Sequence, residues 1–318
     1  MPPRGIVKLL LDDGRTRGYF HCACAKDLTM KTLHIALTII SLFYGVQLAA
    51  DTPRALIESS DAQLQLALES VIEEQGLATA VSKQQLAVVL VQVSDPQNPR
   101  LAELNGHTML YAASLPKIAI LLGAAVAIDE GRLVLDDELQ TDLDNMIRHS
   151  CNPCATKVLA MVGREELLQI LQSPEYNFYD KNDSGGLWVG KDYGPSVAHK
   201  RDPLSGLSHG ATAFQAARFY YKLHNGTLVN AEQSAMMLDV LSRPGISHKF
   251  VKGLAAYPDI EMFRKSGTWR TYHADSALVH SDEADYIIVA LANHPNGARW
   301  LEQMAAPLHE LATSTRTE

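Results

Sequence analysis

Ser114 and Lys117 head a long apolar segment, within the run Tyr111-Ala-Ala-Ser-Leu-Pro-Lys-Ile-Ala-Ile-Leu-Leu. The spacing predicts a helix whose first turn carries both polar side chains on one face. A helix N-terminus adds unpaired N–H groups and positive dipole beside the serine oxygen. A lysine so placed, neutral for part of the time, can take the hydroxyl proton and leave an activated nucleophile. Four residues make a short pattern, so its weight rests on what accompanies it.

Two further pieces follow in order. Ser150-Cys151-Asn152 comes just after a helical stretch, and Lys265-Ser266-Gly267-Thr268 stands at the end of a short strand-like run, Met262 to Ser266. Together the three resemble the S-x-x-K, S-D-N and K-T-G set of class A β-lactamases and penicillin-binding proteins. The connecting text is similar too: the helix after Lys117 with its Asp129-Glu-Gly-Arg turn, Met146-Ile147 before the second motif, and Thr212 through Leu228. The likeness covers roughly residues 54–315.

The resemblance implies an α/β fold, an antiparallel sheet flanked by helices plus an all-helical lobe, with the active site in the groove between. It implies a covalent serine mechanism, with Ser114 as nucleophile and Lys117 as acylation base, its pKa lowered by nearby Lys265. Ser150 would pass a proton to the leaving nitrogen, and Asn152 would hold the substrate's amide side chain. Lys265 would stabilise an anionic substrate, beside Ser266 and Gly267 in the third motif. The N–H groups of Ser114 and Thr268 would form the oxyanion hole. Arg270 is the nearest cation to anchor a substrate carboxylate, or else a solvated arginine on a turn. The substrate would be a β-lactam or a peptidoglycan-like small molecule, with no cofactor, and the protein a monomer. A small penicillin-binding protein, a D-alanyl-D-alanine peptidase or an esterase on the same scaffold is the alternative.

The departures are as informative. The interval from Lys117 to Ser150 is shorter than in typical class A enzymes, and Cys151 replaces an aspartate. The E-x-x-L-N signature that carries the deacylating glutamate is absent. Glu165 and Glu166 fall too early, which leaves Asp183 as the nearest candidate base by position. Arg201-Asp202 reads equally as a loop-closing ion pair or a solvated charge cluster. A rival nucleophile is Ser208, in Gly206-Leu-Ser-His-Gly210, which fits the G-x-S-x-G elbow of α/β-hydrolases. That elbow needs a buried strand before it, whereas Lys200-Arg-Asp-Pro-Leu-Ser is polar and broken by proline.

Elsewhere the pattern predicts helices over 61–75, most of 116–171, 213–223, 231–241 and 296–313. Strands are expected at 86–93, 101–104, 262–266, 276–280 and 286–292, with a loop over 176–210. The net charge of −8 and dispersed Lys and Arg argue against nucleic acid as partner. The twelve histidines form no H-x-x-x-H or H-x-H cluster beside a carboxylate, so no metal is expected.

Met30-Lys31-Thr32 precedes an apolar run from Leu33 to Leu48, then Ala49-Ala50-Asp51, which has the anatomy of a secretory signal peptide. The run is too short for a membrane span. The domains expected are thus an over-called extension at 1–29, a signal peptide at 30–50 and a catalytic domain at 51–318, in the periplasm or secreted. Export would leave Cys151 and Cys154, readable as a local disulfide or as two buried thiols. N-terminal sequencing of protein from periplasm or medium should find a chain starting near Asp51. A cytosolic product retaining residues 1–29 would overturn the export reading.

Overall fold

The computed structural model describes residues 53–314. The expected extension at 1–29 and the expected signal peptide at 30–50 lie outside the described residues. Strand β1 (Leu86–Gln92) is nearly all apolar because both of its faces are covered. It sits near the middle of a five-stranded antiparallel sheet with β2 (Arg100–Leu104), β8 (Glu261–Trp269), β9 (Tyr272–His280) and β10 (Tyr286–Asn293), in the order β2-β1-β10-β9-β8. Successive side chains alternate faces. Leu86, Val88 and Leu90 pack with Ile288 and Ala290 beneath α1 (Ala62–Glu74) and α10 (Gly297–Thr313). Ala87, Val89 and Val91 join Ile287 and Val289 in the opposite core, against α7 (Ala213–His224). The short helices α2 (Ala78–Ser82) and α9 (Phe250–Gly253) complete the sheet's surroundings.

The second lobe is helical. Its axis is α3 (Lys117–Asp129), in which every residue from Lys117 to Ala127 is buried. A helix apolar on all sides must be encircled. Helices α4 (Asp137–Arg148), α5 (Asn152–Val162), α6 (Arg164–Gln172) and α8 (Ala231–Leu241) do so. The expected architecture is therefore present: an antiparallel sheet flanked by helices, plus an all-helical lobe. Among the described residues no helix is long and apolar enough to cross a membrane.

Two segments differ from the sequence expectation. The 176–210 region contains paired two- and three-residue strands, β4 (Tyr179–Asp180), β5 (Gly185–Gly186), β6 (Trp188–Val189) and β7 (His209–Ala211). Strands so short carry no legible alternation. β7 pairs with β6 and with β3 (Leu110–Tyr111), the lead-in to Ser114. The strand carrying the third motif runs on past Ser266 to Trp269, because polar Lys265, Ser266 and Thr268 interrupt the apolar signal while the ladder to β9 continues.

A buried ion pair crosses β8 and β9. Arg264 grips Asp275 through two hydrogen bonds of 2.7 Å, with both side chains almost fully buried. Asp275 also accepts from the Phe250 N–H at 3.1 Å, so the charge is matched on several sides. Asp275→Ala should cost about 3–5 kcal/mol in denaturant unfolding, because Arg264 would keep an unpaired buried charge. A loss below about 1 kcal/mol, the scale of an exposed pair, would show the site to be solvated.

Candidate active site

β8 is the edge strand of its sheet, and its free side meets the turn that starts α3. Gly267 makes this approach possible: a Cβ there would lie 2.2 Å from the Ala112 carbonyl oxygen and 2.7 Å from the Ser114 nitrogen. A groove of about 560 Å³ opens at this seam. Ser114, Asn152 and Thr268 line it, one from each motif. Tyr111, Tyr193, Trp269 and Tyr272 supply aromatic walls, and Lys191 and Arg201 supply cations. No aspartate or glutamate is among the lining residues.

Ser114 lies in the turn before α3, followed by Leu115 and Pro116, and the helix begins only at Lys117. Ala113, immediately before it, has φ of 52°, a left-handed conformation that a residue with a Cβ adopts at a cost of order 1–3 kcal/mol. The Ser114 hydroxyl has no hydrogen-bond partner among the described residues and faces the groove. Its backbone N–H likewise donates to no carbonyl there. Beside it β8 brings Thr268, whose Oγ1 accepts from Lys249 Nζ at 2.9 Å. An oxygen developing negative charge between the two backbones would find the unbonded Ser114 N–H.

Lys117 is fully buried, and this burial pulls its pKa down to about 7. Its Nζ donates to Ser150 O at 2.6 Å and Asn152 Oδ1 at 2.8 Å, with longer contacts to Cys151 O and Ser150 Oγ at 3.3 and 3.4 Å. Desolvation, rather than repulsion by Lys265, is the cause of the shift at Lys117. The repulsion is felt by Lys265 instead: wholly buried, it is pushed well below the usual lysine range by desolvation first, then by Lys117 and Arg264. Lys265 Nζ donates to Ser150 Oγ at 3.1 Å and to Ser266 O at 2.8 Å. When both lysines donate to Ser150 Oγ they occupy its two lone pairs, and the hydroxyl hydrogen must point elsewhere. Ser150 itself has φ of 56°, a second left-handed residue in the site after Ala113.

The adjoining cysteines form a disulfide: Cys151 and Cys154 are bonded, with Cα atoms 5.4 Å apart. Of the two sequence readings, the cross-link is the one present. The Cys151 sulfur also accepts the Cys154 N–H at 3.1 Å and so caps α5. The bridge thus closes the turn that presents Ser150 O, Cys151 O and Asn152 Oδ1 to Lys117.

Other expected residues fall elsewhere. Asp183 is exposed on the β4–β5 turn, bonded to Ser184, and lines no part of the groove. Two-residue strands on either side fold that turn back on itself, which carries its carboxylate away. Arg270 stands at the tip of the β8–β9 hairpin with φ of 52°, its guanidinium stacked over Trp269 at 4.3 Å and outside the groove lining. Asp202 takes neither expected form: its carboxylate is buried and accepts from the N–H groups of Leu204, Ser205 and Leu207 and from Tyr179 OH.

Ser208 does reach the groove, beside His209 Nδ1 at 3.3 Å. Yet it precedes strand β7 instead of ending one, and the downstream acid and histidines that a triad would draw on are dispersed. Asp239 pairs with Arg243, and His294 stacks on Trp300. His280 lies with His224 and Asp285, three groups whose ligand atoms fall within 4.8 Å of one another at the far end of β9. They are 56 and 5 residues apart in sequence, so linear spacing could not reveal them.

The groove's outer wall is the loop over 190–208, which the sequence left blank. Gly190 closes its base: its N–H donates to Ser208 O at 2.8 Å and its carbonyl accepts from Lys200 N at 3.0 Å. Arg164 holds Asp192 through two 2.7 Å bonds. Tyr193 then projects inward, its ring 4.6 Å from Lys117 Nζ.

A family model described as a β-lactamase enzyme family matches residues 138–311, more than half of the chain. The chain belongs to that family. The match includes Ser150, Asn152 and Lys265 and begins after Ser114 and Lys117. No curated protein matches. Among solved structures, the fold is similar to PBP-A at 18% identity, covering 79% of this chain and 96% of that one, with TM-score 0.59. A PBP-A mutant solved as an acyl-enzyme complex with penicillin G is similar at 19% identity over 79% and 96%, TM-score 0.60. A β-lactamase from Sphaerobacter thermophilus is similar at 15% identity over 76% and 97%, TM-score 0.58. These identities speak to fold. The family match makes the chain a hydrolytic enzyme of the β-lactamase type, and the solved structures share its fold.

If Lys117 acts as a base, its neutral fraction sets the reactivity of Ser114. Burial lowers its pKa to about 7, so covalent labelling should accelerate as pH rises through about 7 and level off above it. Lys117→Arg, which stays charged, should slow labelling by at least roughly 10²-fold. A profile flat across neutral pH would exclude Lys117 as the base.

Proposed function

We propose that this protein is an exported serine hydrolase, class A-like in its motifs, that opens β-lactam rings through an acyl-Ser114 intermediate and releases the product slowly. The observation that carries the reading is the seam at Gly267, where a serine with an unbonded hydroxyl and an unbonded backbone N–H lies one helical turn from a buried lysine of depressed pKa. In the acylation step, neutral Lys117 takes the Ser114 proton while Oγ attacks the ring carbonyl. The carbonyl oxygen collects charge between the Ser114 and Thr268 N–H groups. Ser150, held by two lysines, hands its proton to the departing nitrogen and regains one from Lys117 or Lys265. Asn152 and the cations Lys191 and Arg201 receive the amide side chain and the carboxylate.

Slow release follows from the lining: a water attacking the ester needs a base in reach, and the groove offers no carboxylate. The same feature favours a second reading, a small penicillin-binding protein or D-alanyl-D-alanine peptidase. The signal-like 30–50 segment and the Cys151–Cys154 bridge support an oxidising, exported setting.

Mass spectrometry of intact protein after benzylpenicillin treatment tests both. An adduct of one drug mass should form as a burst, vanish in Ser114→Ala and persist in Ser208→Ala. Loss of the adduct only in Ser208→Ala would move the nucleophile to Ser208. Release of D-alanine from a model peptide, without steady drug turnover, would favour the peptidase.

A further inference from the structure

Lys117 has no side open to bulk water, and where its acceptors from Ser150, Cys151 and Asn152 end, one aromatic ring begins. Tyr193 lies over Nζ at 4.6 Å, and its phenol donates to the Ala113 carbonyl at 3.4 Å. The ring therefore spans from the lysine to the residue bonded to Ser114. It is held from several directions. Its backbone N–H donates to Thr156 Oγ1 and its carbonyl accepts the Thr156 hydroxyl, both at 3.1 Å. The His209 ring packs against it with centroids 4.3 Å apart, and the neighbouring Asp192 is clamped by Arg164.

Hydrolysis of an acyl-Ser114 ester requires water to give up a proton as its oxygen bonds to the carbonyl carbon. On collapse the carbon–Oγ bond breaks and the proton returns to Ser114. With no carboxylate in the lining, the proton acceptor left to the ester is neutral Lys117, one helical turn along from Ser114. His209 is committed elsewhere: its Nε2–H donates to Lys191 O at 3.0 Å, and its Nδ1 faces Ser208 Oγ. A productive water would have to stand between Lys117 and the ester, against the surface that the Tyr193 ring covers. Acylation carries no such demand, because the proton to be moved sits on Ser114 itself.

We propose that Tyr193 is a shield that keeps water off the Lys117 side of the acyl-Ser114 ester and so sets the lifetime of the adduct. The inference rests on the acyl-Ser114 reading above and assigns Tyr193 a positioning role, exclusion of one reactant, with no bond made or broken at Tyr193.

The test forms the benzylpenicillin adduct on the full chain, removes free drug and follows its decay by intact mass. Tyr193→Ala should decay about 10²-fold faster than wild type, the lower end of what a positioned general base contributes. That decay should quicken as pH rises through neutrality, because Lys117 then meets water. Tyr193→Phe, which keeps the ring, should restore the long life. Hydroxylamine should hasten release from Tyr193→Ala more than from wild type. If Tyr193→Ala fails to fold, Thr156→Val, which frees the loop backbone, should shorten the lifetime in the same direction. Equal lifetimes in the wild type and the unshielded variants, or Phe as fast as Ala, overturn the shield while the acyl-enzyme stands. Failure of the wild type to form any Ser114 adduct overturns both.

Discussion

Everything at this site hangs on one close approach, the backbone of β8 at Gly267 against the backbone of Ala112–Leu115. The sheet contributes Lys265 and Thr268, the helical lobe contributes Ser114, Lys117 and Ser150, and neither layer holds a complete set. A Cβ on residue 267 would stand 2.2 Å from a carbonyl oxygen, well inside contact distance, so the two lobes could not close to this spacing. Ala113 in a left-handed conformation is the matching concession on the other side of the seam. Backbone strain of this kind persists only where surrounding packing over-determines it. Here the wholly buried α3 supplies that packing.

The second constraint is electrostatic. Two lysines meet at one serine hydroxyl in a dry site, and a third, Lys249, lies behind the strand bonded to Gly267 O, Thr268 Oγ1 and Ala274 O. Burial depresses Lys117 to about 7 and Lys249 to about 8. The single buried carboxylate nearby, Asp275, is engaged by Arg264. A cluster short of negative charge disfavours full protonation, so at neutral pH one amine can hold a lone pair while another remains an ammonium. That division suits a step needing both a proton acceptor and a proton donor around Ser150.

Much of this was legible from the sequence for a physical reason: the three motifs sit at the ends or edges of regular elements, where apolar periodicity gives way to polar residues. Ser114 and Lys117 precede an apolar helix, Ser150 follows an amphipathic one, and Lys265 interrupts a strand. The loop over 190–208 was not legible, because its order comes from backbone contacts at Gly190 and a distant ion pair, Arg164 with Asp192. Tyr193 could have been noticed only as an aromatic between Gly190 and Gly194. Asp183 misled because position along the chain stood in for position in space. Its hairpin turns outward, and two-residue strands leave no trace in composition. The Cys151–Cys154 spacing alone leans toward two buried thiols, and the turn that brings the Cα atoms to 5.4 Å makes the bridge instead.

A shielded lysine separates two kinds of acyl donor by what happens to the leaving group. If a linear peptide acylates Ser114, the amine departs, and the space it leaves is open to a second amine, a nucleophile that needs no base from the protein to attack. Opening a β-lactam leaves the amine tethered within the same acyl group, so that side stays filled. Release must then come from the Lys117 side, where Tyr193 stands. One arrangement of side chains can thus turn over a linear amide and stall on a cyclic one, without any change in the acylating residues. The groove's aromatic and cationic walls are neutral to this difference, since both donors can present a carboxylate and an amide side chain. If Tyr193 shields Lys117, what decides between turnover and capture here is therefore the path open to the second nucleophile, more than recognition of the first substrate.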